Sequence, residues 1–145
     1  MIIPKLEELQ TSLHLPEKKC FTVEQANLLL PQIEEHILEV HRLLDALRLL
    51  LSIELEFNDE FLSHAKNIRY TKEYHKLYFT MYSHLDAIMS HGCYVKDIEK
   101  GLIDFYSKTK EGKEIFLCWR IGEKSIQDWH SLDAGFSERK GIEEL

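Results

Sequence analysis

The sequence is poor in residues that break or staple a chain: its 145 residues include only 6 Gly, 3 Pro and 3 Cys. With 44% hydrophobic and 30% charged residues beside them, that scarcity excludes a collagen-like, low-complexity or intrinsically disordered protein. Cys20, Cys93 and Cys118 are odd in number, widely separated and free of any CxxC pair, which excludes a disulfide framework and fits a reducing compartment. Long apolar runs are absent too. No stretch of about 18 apolar residues could span a bilayer, and Met1-Ile2-Ile3-Pro4 runs directly into Lys5, leaving no apolar core for a signal peptide. A cytoplasmic location without membrane association is the expectation. Positive charge is also in deficit, 18 Lys and Arg against 25 Asp and Glu for a net −7. That argues against nucleic acid as a partner, since such binding rests on neutralising phosphates, and no Gly-rich phosphate loop is present.

What is present is unevenly spread. Residues 1–60 carry 5 basic and 12 acidic side chains, whereas residues 61–145 carry 13 of each. The acidity is therefore N-terminal, and the C-terminal part is formally neutral. With 8 His in the chain, full protonation would carry the net charge through zero, so solubility and self-association should respond to acid.

The length fits one domain. Residues 1–20, with Pro4 and Pro16, read as an arm. In Phe21-Thr22-Val23-Glu24-Gln25, Thr22 and Gln25 have the spacing of a capping box, which predicts a helix start there. Pro31 lacks the N–H that a helix interior needs, so the first short helix should stop or kink at that point, giving a kinked N-terminal helix. Over residues 32–52, Ile33, Ile37, Val40, Leu44, Leu47 and Leu51 step by four and three, one apolar face of a long helix. Asn58 or Asp59 can cap a second helix over residues 60–90, which leaves through Gly92. Its expected seam is Phe61, Ala65, Ile68, His75, Tyr78, Tyr82, Leu85 and Met89. Two such helices should form an antiparallel hairpin, so residues 21–91 form a helical part.

Beyond Gly92 the periodicity changes. Leu102 to Ser107 and Glu114 to Arg120 flank a turn containing Gly112 and read as a β-hairpin. Ile126 to His130 fits a third strand or a helical turn, within a β-rich block of residues 92–136, and residues 137–145 read as a surface tail. The fold class is therefore α+β: a kinked N-terminal helix, a long helix hairpin and a small C-terminal antiparallel sheet.

The opening FTVEQANLLLP at Phe21–Pro31, and GLIDF, CWRIGE, WH and GF between Gly101 and Phe136, resemble the uncharacterised prokaryotic family known as domain of unknown function 2203. These segments and the helix pair between them cover most of the chain, with residues 32–90 resembling the family only in being helical. It implies a small bacterial protein whose distinctive residues lie in its C-terminal part, and it brings no activity.

Within that part Asp104, Arg120, Glu123 and His130 carry the chemistry that is hardest to replace. In paired strands Asp104 and Arg120 would point to the same face. One reading is a polar pocket in which Arg120 holds a small anionic ligand while Asp104, Glu123 and His130 serve as acid, base or metal ligands. The plainer reading is an Asp104–Arg120 ion pair with His130 fixing the tail. Glu123, His130 and His75 are candidate ligands for a divalent metal cofactor, although neither helix has the Glu-x-x-His spacing of a helix-bundle metal site. A zinc set of His91, Cys93 and Cys118 would need the non-standard His91-x-Cys93 spacing. Cys118 lies in an apolar strand, where burial raises a thiol pKa, and reads as core rather than nucleophile. Tyr70, Tyr74, Tyr78 and Tyr82 recur every four residues and form a stripe for packing or for a partner. The functions left open are a ligand-binding or interaction module, self-associating through helices 32–52 and 60–90, and a small metal-dependent enzyme using the Asp104/Arg120/Glu123/His130 cluster.

Overall fold

Thr22 and Gln25 cap the first helix reciprocally: the Gln25 amide donates to Thr22 Oγ1 at 3.1 Å and the Thr22 amide to Gln25 Oε1 at 3.0 Å. Two of the helix start's orphan N–H groups are thereby satisfied. The computed structural model describes residues 16–56 and 64–145. Helix α1 spans Val23–Glu56 and α2 spans His64–Ser90. The caps Asn58 and Asp59, the seam residue Phe61 and most of the N-terminal arm lie outside the described residues, as do the side chains of Ala65, Ile68 and Tyr70.

Of the stop or kink expected at Pro31, the stop is not seen: α1 runs through Pro31 as a single element. Pro31 lies on the exposed side of α1, where water can satisfy the carbonyl that proline leaves without a donor. The α1 seam forms over Ile33, Ile37, Val40, Leu44 and Leu47, all buried, while Leu51 at its end is only half-buried. On α2 the expected seam residues Leu85 and Met89 are buried together with Tyr74, Met81 and Ile88, Tyr78 and Tyr82 pack partly buried against the core, and His75 is exposed, correcting its expected place on the seam. The line 74/81/88 lies one position before 75/82/89, and the core takes residues from both. His36 of α1 meets His84 of α2, Nδ1 to Nδ1 at 2.9 Å. The early part of one helix thus faces the late part of the other, as an antiparallel pair requires.

A five-stranded antiparallel sheet follows, in the order β1 (Tyr94–Asp97), β2 (Leu102–Lys108), β3 (Glu114–Arg120), β4 (Asp128–Ser131) and β5 (Lys140–Gly141). The α+β class holds, and the sheet has two strands more than the residue pattern disclosed. Strand β1 is short and charged, and the expected tail supplies β5, which pairs with β4. Ile103, Phe105, Ile115, Leu117, Trp119 and Trp129 belong to one core cluster with the helix seams. Strand alternation therefore sends Leu102, Asp104, Tyr106, Phe116, Cys118, Arg120 and His130 to the face turned away from the helices. Phe21 ties the layers together: its ring meets Phe105 edge-on at 5.2 Å, its amide donates to the Tyr106 carbonyl at 2.8 Å, and its carbonyl accepts from Ser107 Oγ at 2.6 Å.

Candidate functional site

Register decides which polar residues meet on the outer face. Leu102 pairs with Arg120, Asp104 with Cys118, and Phe116 with His130. Asp104 therefore lies next to Cys118 and one diagonal step from His130, with strand β3 between. All three are buried: Asp104 is 2% exposed, Cys118 1% and His130 4%. His130 Nε2 lies 3.0 Å from Asp104 Oδ2 and its Nδ1 lies 2.9 Å from its neighbour's carbonyl, Ser131 O. One donor atom from each of Asp104, Cys118 and His130 falls within 4.8 Å of the other two.

Electrostatics follow the contacts. The hydrogen bond to Asp104 raises the His130 pKa above its ordinary value of 6.5, against an opposing effect of burial. Burial first, and then the Asp104 charge, push the Cys118 thiol up to about 12. Cys118 is therefore a thiol rather than a thiolate nucleophile in this setting.

The cluster opens on a cavity of about 120 Å³ lined by Lys96, Leu102, Leu132, Ala134, Gly135 and Phe136 in addition to the three polar residues. The segment after β4 roofs it. Phe136 is held there by cations, with the guanidinium of Arg139 4.6 Å and that of Arg120 5.8 Å from its ring centre. On the opposite side Lys96 Nζ stands 4.7 Å from the Phe116 ring centre.

Of the four residues singled out from the sequence, Asp104 and His130 come together, while Arg120 and Glu123 do not join them. The expected Asp104–Arg120 ion pair is absent among the described residues, because Arg120 sits opposite Leu102 at the strand end and its exposed side chain turns to Phe136. Glu123 staples the β3–β4 turn: Oε2 accepts the Arg120 amide at 2.8 Å and Oε1 accepts from Arg139 Nη2 at 2.8 Å. His75 stands on the exposed side of α2, its ring 5.5 Å from that of Tyr74. His91, Cys93 and Cys118 form no cluster among the described residues, and the Cys93 thiol donates instead to the Ile88 carbonyl. The tyrosine stripe packs on itself, with Tyr74 stacked on Tyr78 at 5.7 Å and Tyr78 against Tyr82 at 4.9 Å.

Sequence reasoning missed three residues. Cys118 as a partner of Asp104 was within reach, since a hairpin closed over residues 109–113 sets that register. The roles of Arg139, which pairs with Glu123 and Asp128, and of Lys96 depend on chain segments that carry no pattern of their own.

Comparison with protein families matches residues 19–142 to the model for Uncharacterized conserved protein (DUF2203). No curated protein and no solved structure matches the chain. The motif residues now have places: Gly101 opens β2, Phe105, Trp119 and Trp129 fill the core, Asp104, Cys118 and His130 form the polar cluster, and Gly135-Phe136 roofs it.

Proposed function

The chain belongs to the DUF2203 family, a membership that brings no activity with it, and we propose that it is a binding module whose pocket on the outer sheet face takes a small anionic ligand. The observation that carries this reading is a buried Asp104–His130 pair lining a cavity that Lys96 also lines. Lys96 brings a cationic group to that lining, and the hydrogen bond to Asp104 raises the His130 pKa and so favours its cationic form. About 120 Å³ limits the ligand to a few heavy atoms, and Leu132, Ala134 and Phe136 give the cavity an apolar side.

The test is thermal stabilisation and amide chemical-shift mapping with phosphate, sulfate and short carboxylates. Saturable stabilisation, with shifts centred on residues 96, 104, 130 and 134–136 and weakened by Lys96→Met, is the expected result. Shifts centred elsewhere, or none for any of these anions, would overturn the reading.

Self-association through the helices is a second reading, favoured by one specific observation. Leu28, Leu38, Leu49 and Phe79 stand 79%, 56%, 64% and 74% exposed on the helix surfaces, more large apolar side chains than two packed helices need leave in water. Light scattering at micromolar concentration should give a mass above 17.2 kDa that falls in Phe79→Ser. A wild-type mass fixed at that value would remove this reading.

A further inference from the structure

We propose that Asp104, Cys118 and His130 form a transition-metal site of the zinc class, with its open position turned into the cavity. The inference rests on the reading that this cavity is the functional site, and it names what occupies the cavity's polar end.

The first argument is a proton count. A neutral imidazole carries one N–H, yet both ring nitrogens of His130 face atoms that only accept, the Ser131 carbonyl and the Asp104 carboxylate. The Nδ1–H···O=C bond to Ser131 is the outer contact that commonly fixes a metal-bound histidine, and it leaves Nε2 for a cation. That cation is either a second proton or a metal ion.

Geometry and donor chemistry favour the metal. Donor atoms bonded to one tetrahedral zinc at about 2.0–2.3 Å stand roughly 3.3–3.7 Å apart. Nε2 and Oδ2, 3.0 Å apart at hydrogen-bond distance, would part by a few tenths of an ångström and the Cys118 sulfur, in a set within 4.8 Å, would draw in to reach that spacing. A buried thiol, imidazole and carboxylate offer sulfur, nitrogen and oxygen donors that suit zinc or cobalt and do not suit calcium or magnesium.

Charge balances as well. A dication held by a neutral imidazole, one thiolate and one carboxylate forms a buried cluster with no net charge. Three protein ligands leave a fourth position toward Leu132, Ala134 and Phe136, where water or the small anion would bind.

The test uses the full chain, purified without an affinity tag, stripped by chelator and titrated with Co(II) alone. One equivalent should produce the near-ultraviolet thiolate-to-cobalt charge-transfer band, and Zn(II) should bleach it. Cys118→Ser should abolish the band while Cys20→Ser and Cys93→Ser retain it, and Asp104→Asn should weaken Co(II) binding at least tenfold, each in protein whose circular dichroism is unchanged. No band in folded wild-type protein, or a band that survives Cys118→Ser, overturns the metal site. Stabilisation of the metal-free protein by phosphate or carboxylates separates the two ideas. Its persistence without cobalt binding leaves the anion pocket standing and removes the metal, and its absence together with cobalt binding does the reverse.

Discussion

His130 Nε2 and Asp104 Oδ2 stand 3.0 Å apart although a whole strand, carrying Cys118, runs between their backbones. Such a contact depends on both pairings of the central strand β3, so the pair reads out the register of three strands at once. It also sets a cost for removing either partner, because the other is then left as a buried group without its charge complement.

Asp104→Ala should therefore destabilise the protein by about 3–5 kcal/mol, the range for breaking a buried pair from one side. His130→Leu in the same background should add less than it does alone. Urea denaturation of the two single variants and the double variant measures this. Additivity within about 0.5 kcal/mol would mean that the two residues are not coupled.

Gly101 has φ +65°, and a Cβ built there would lie 2.6 Å from Ile121 Cγ2 and 2.9 Å from Ile121 Cβ. The position asks for a left-handed backbone and for no side chain, which accounts for the glycine that opens GLIDF. Gly112 also has positive φ, +86°, with nothing within 4 Å of its Cβ position. Gly112→Ala should cost only the left-handed penalty of about 1–2 kcal/mol. Gly101→Ala should cost a further 1–3 kcal/mol or so for overpacking against a branched side chain. Equal denaturation midpoints for the two variants would show that Ile121 yields freely.

Much of the fold is legible in the sequence, and the boundary has a physical basis. The capping box, the α1 seam and the β2–β3 hairpin are local patterns in which spacing alone fixes which groups face each other. The α2 seam is only partly legible because Tyr74, Met81 and Ile88 lie one position before His75, Tyr82 and Met89, and packing takes residues from both lines while leaving His75 out. Strands β1 and β5 are 4 and 2 residues long, so neither displays a period, and each exists because a neighbouring strand offers an edge. At the site the shared face and the Asp104–Cys118 pairing follow from the hairpin, and the approach of His130 across β3 does not. Asp104 and Arg120 do point the same way, but the register gives Asp104 a cysteine opposite it and a histidine beyond.

Arg139 stands in the segment that looked like a tail, and there it joins two carboxylates: Nη2 lies 2.8 Å from Glu123 Oε1 and 2.5 Å from Asp128 Oδ2. Its side chain is only 12% exposed, and its guanidinium lies over Phe136, on the cavity roof. Arg139→Met keeps the stem and removes the charge, so it should free the β5 edge and the roof together. Faster amide exchange is expected across residues 134–142, with β2 and β3 unaffected, as in a local opening. Exchange that accelerates throughout the sheet would instead place Arg139 in the global folding unit.

The helix pair carries its own response to acid. Burial first, and then the charge on His84, hold the His36 pKa below its ordinary 6.5, with His91 adding to the shift and Glu35 opposing it. Folded His36 therefore binds its proton less readily than the same residue in the unfolded chain. Its contribution to stability is complete above about pH 6.5, and it is lost as the pH falls from there through the lower folded-state value. His36→Gln keeps a polar group opposite His84 Nδ1 and does not titrate. Its melting temperature should decline less steeply than that of the wild type between about pH 7 and pH 5. His130 acts in the opposite sense, since its raised pKa stabilises the fold in acid and that contribution is lost as the pH rises. The comparison must therefore be made between variant and wild type at each pH, which cancels His130 and isolates the interhelical pair. Parallel pH profiles for the two proteins would show that the 2.9 Å approach of His36 to His84 is not where the acid sensitivity of the fold resides.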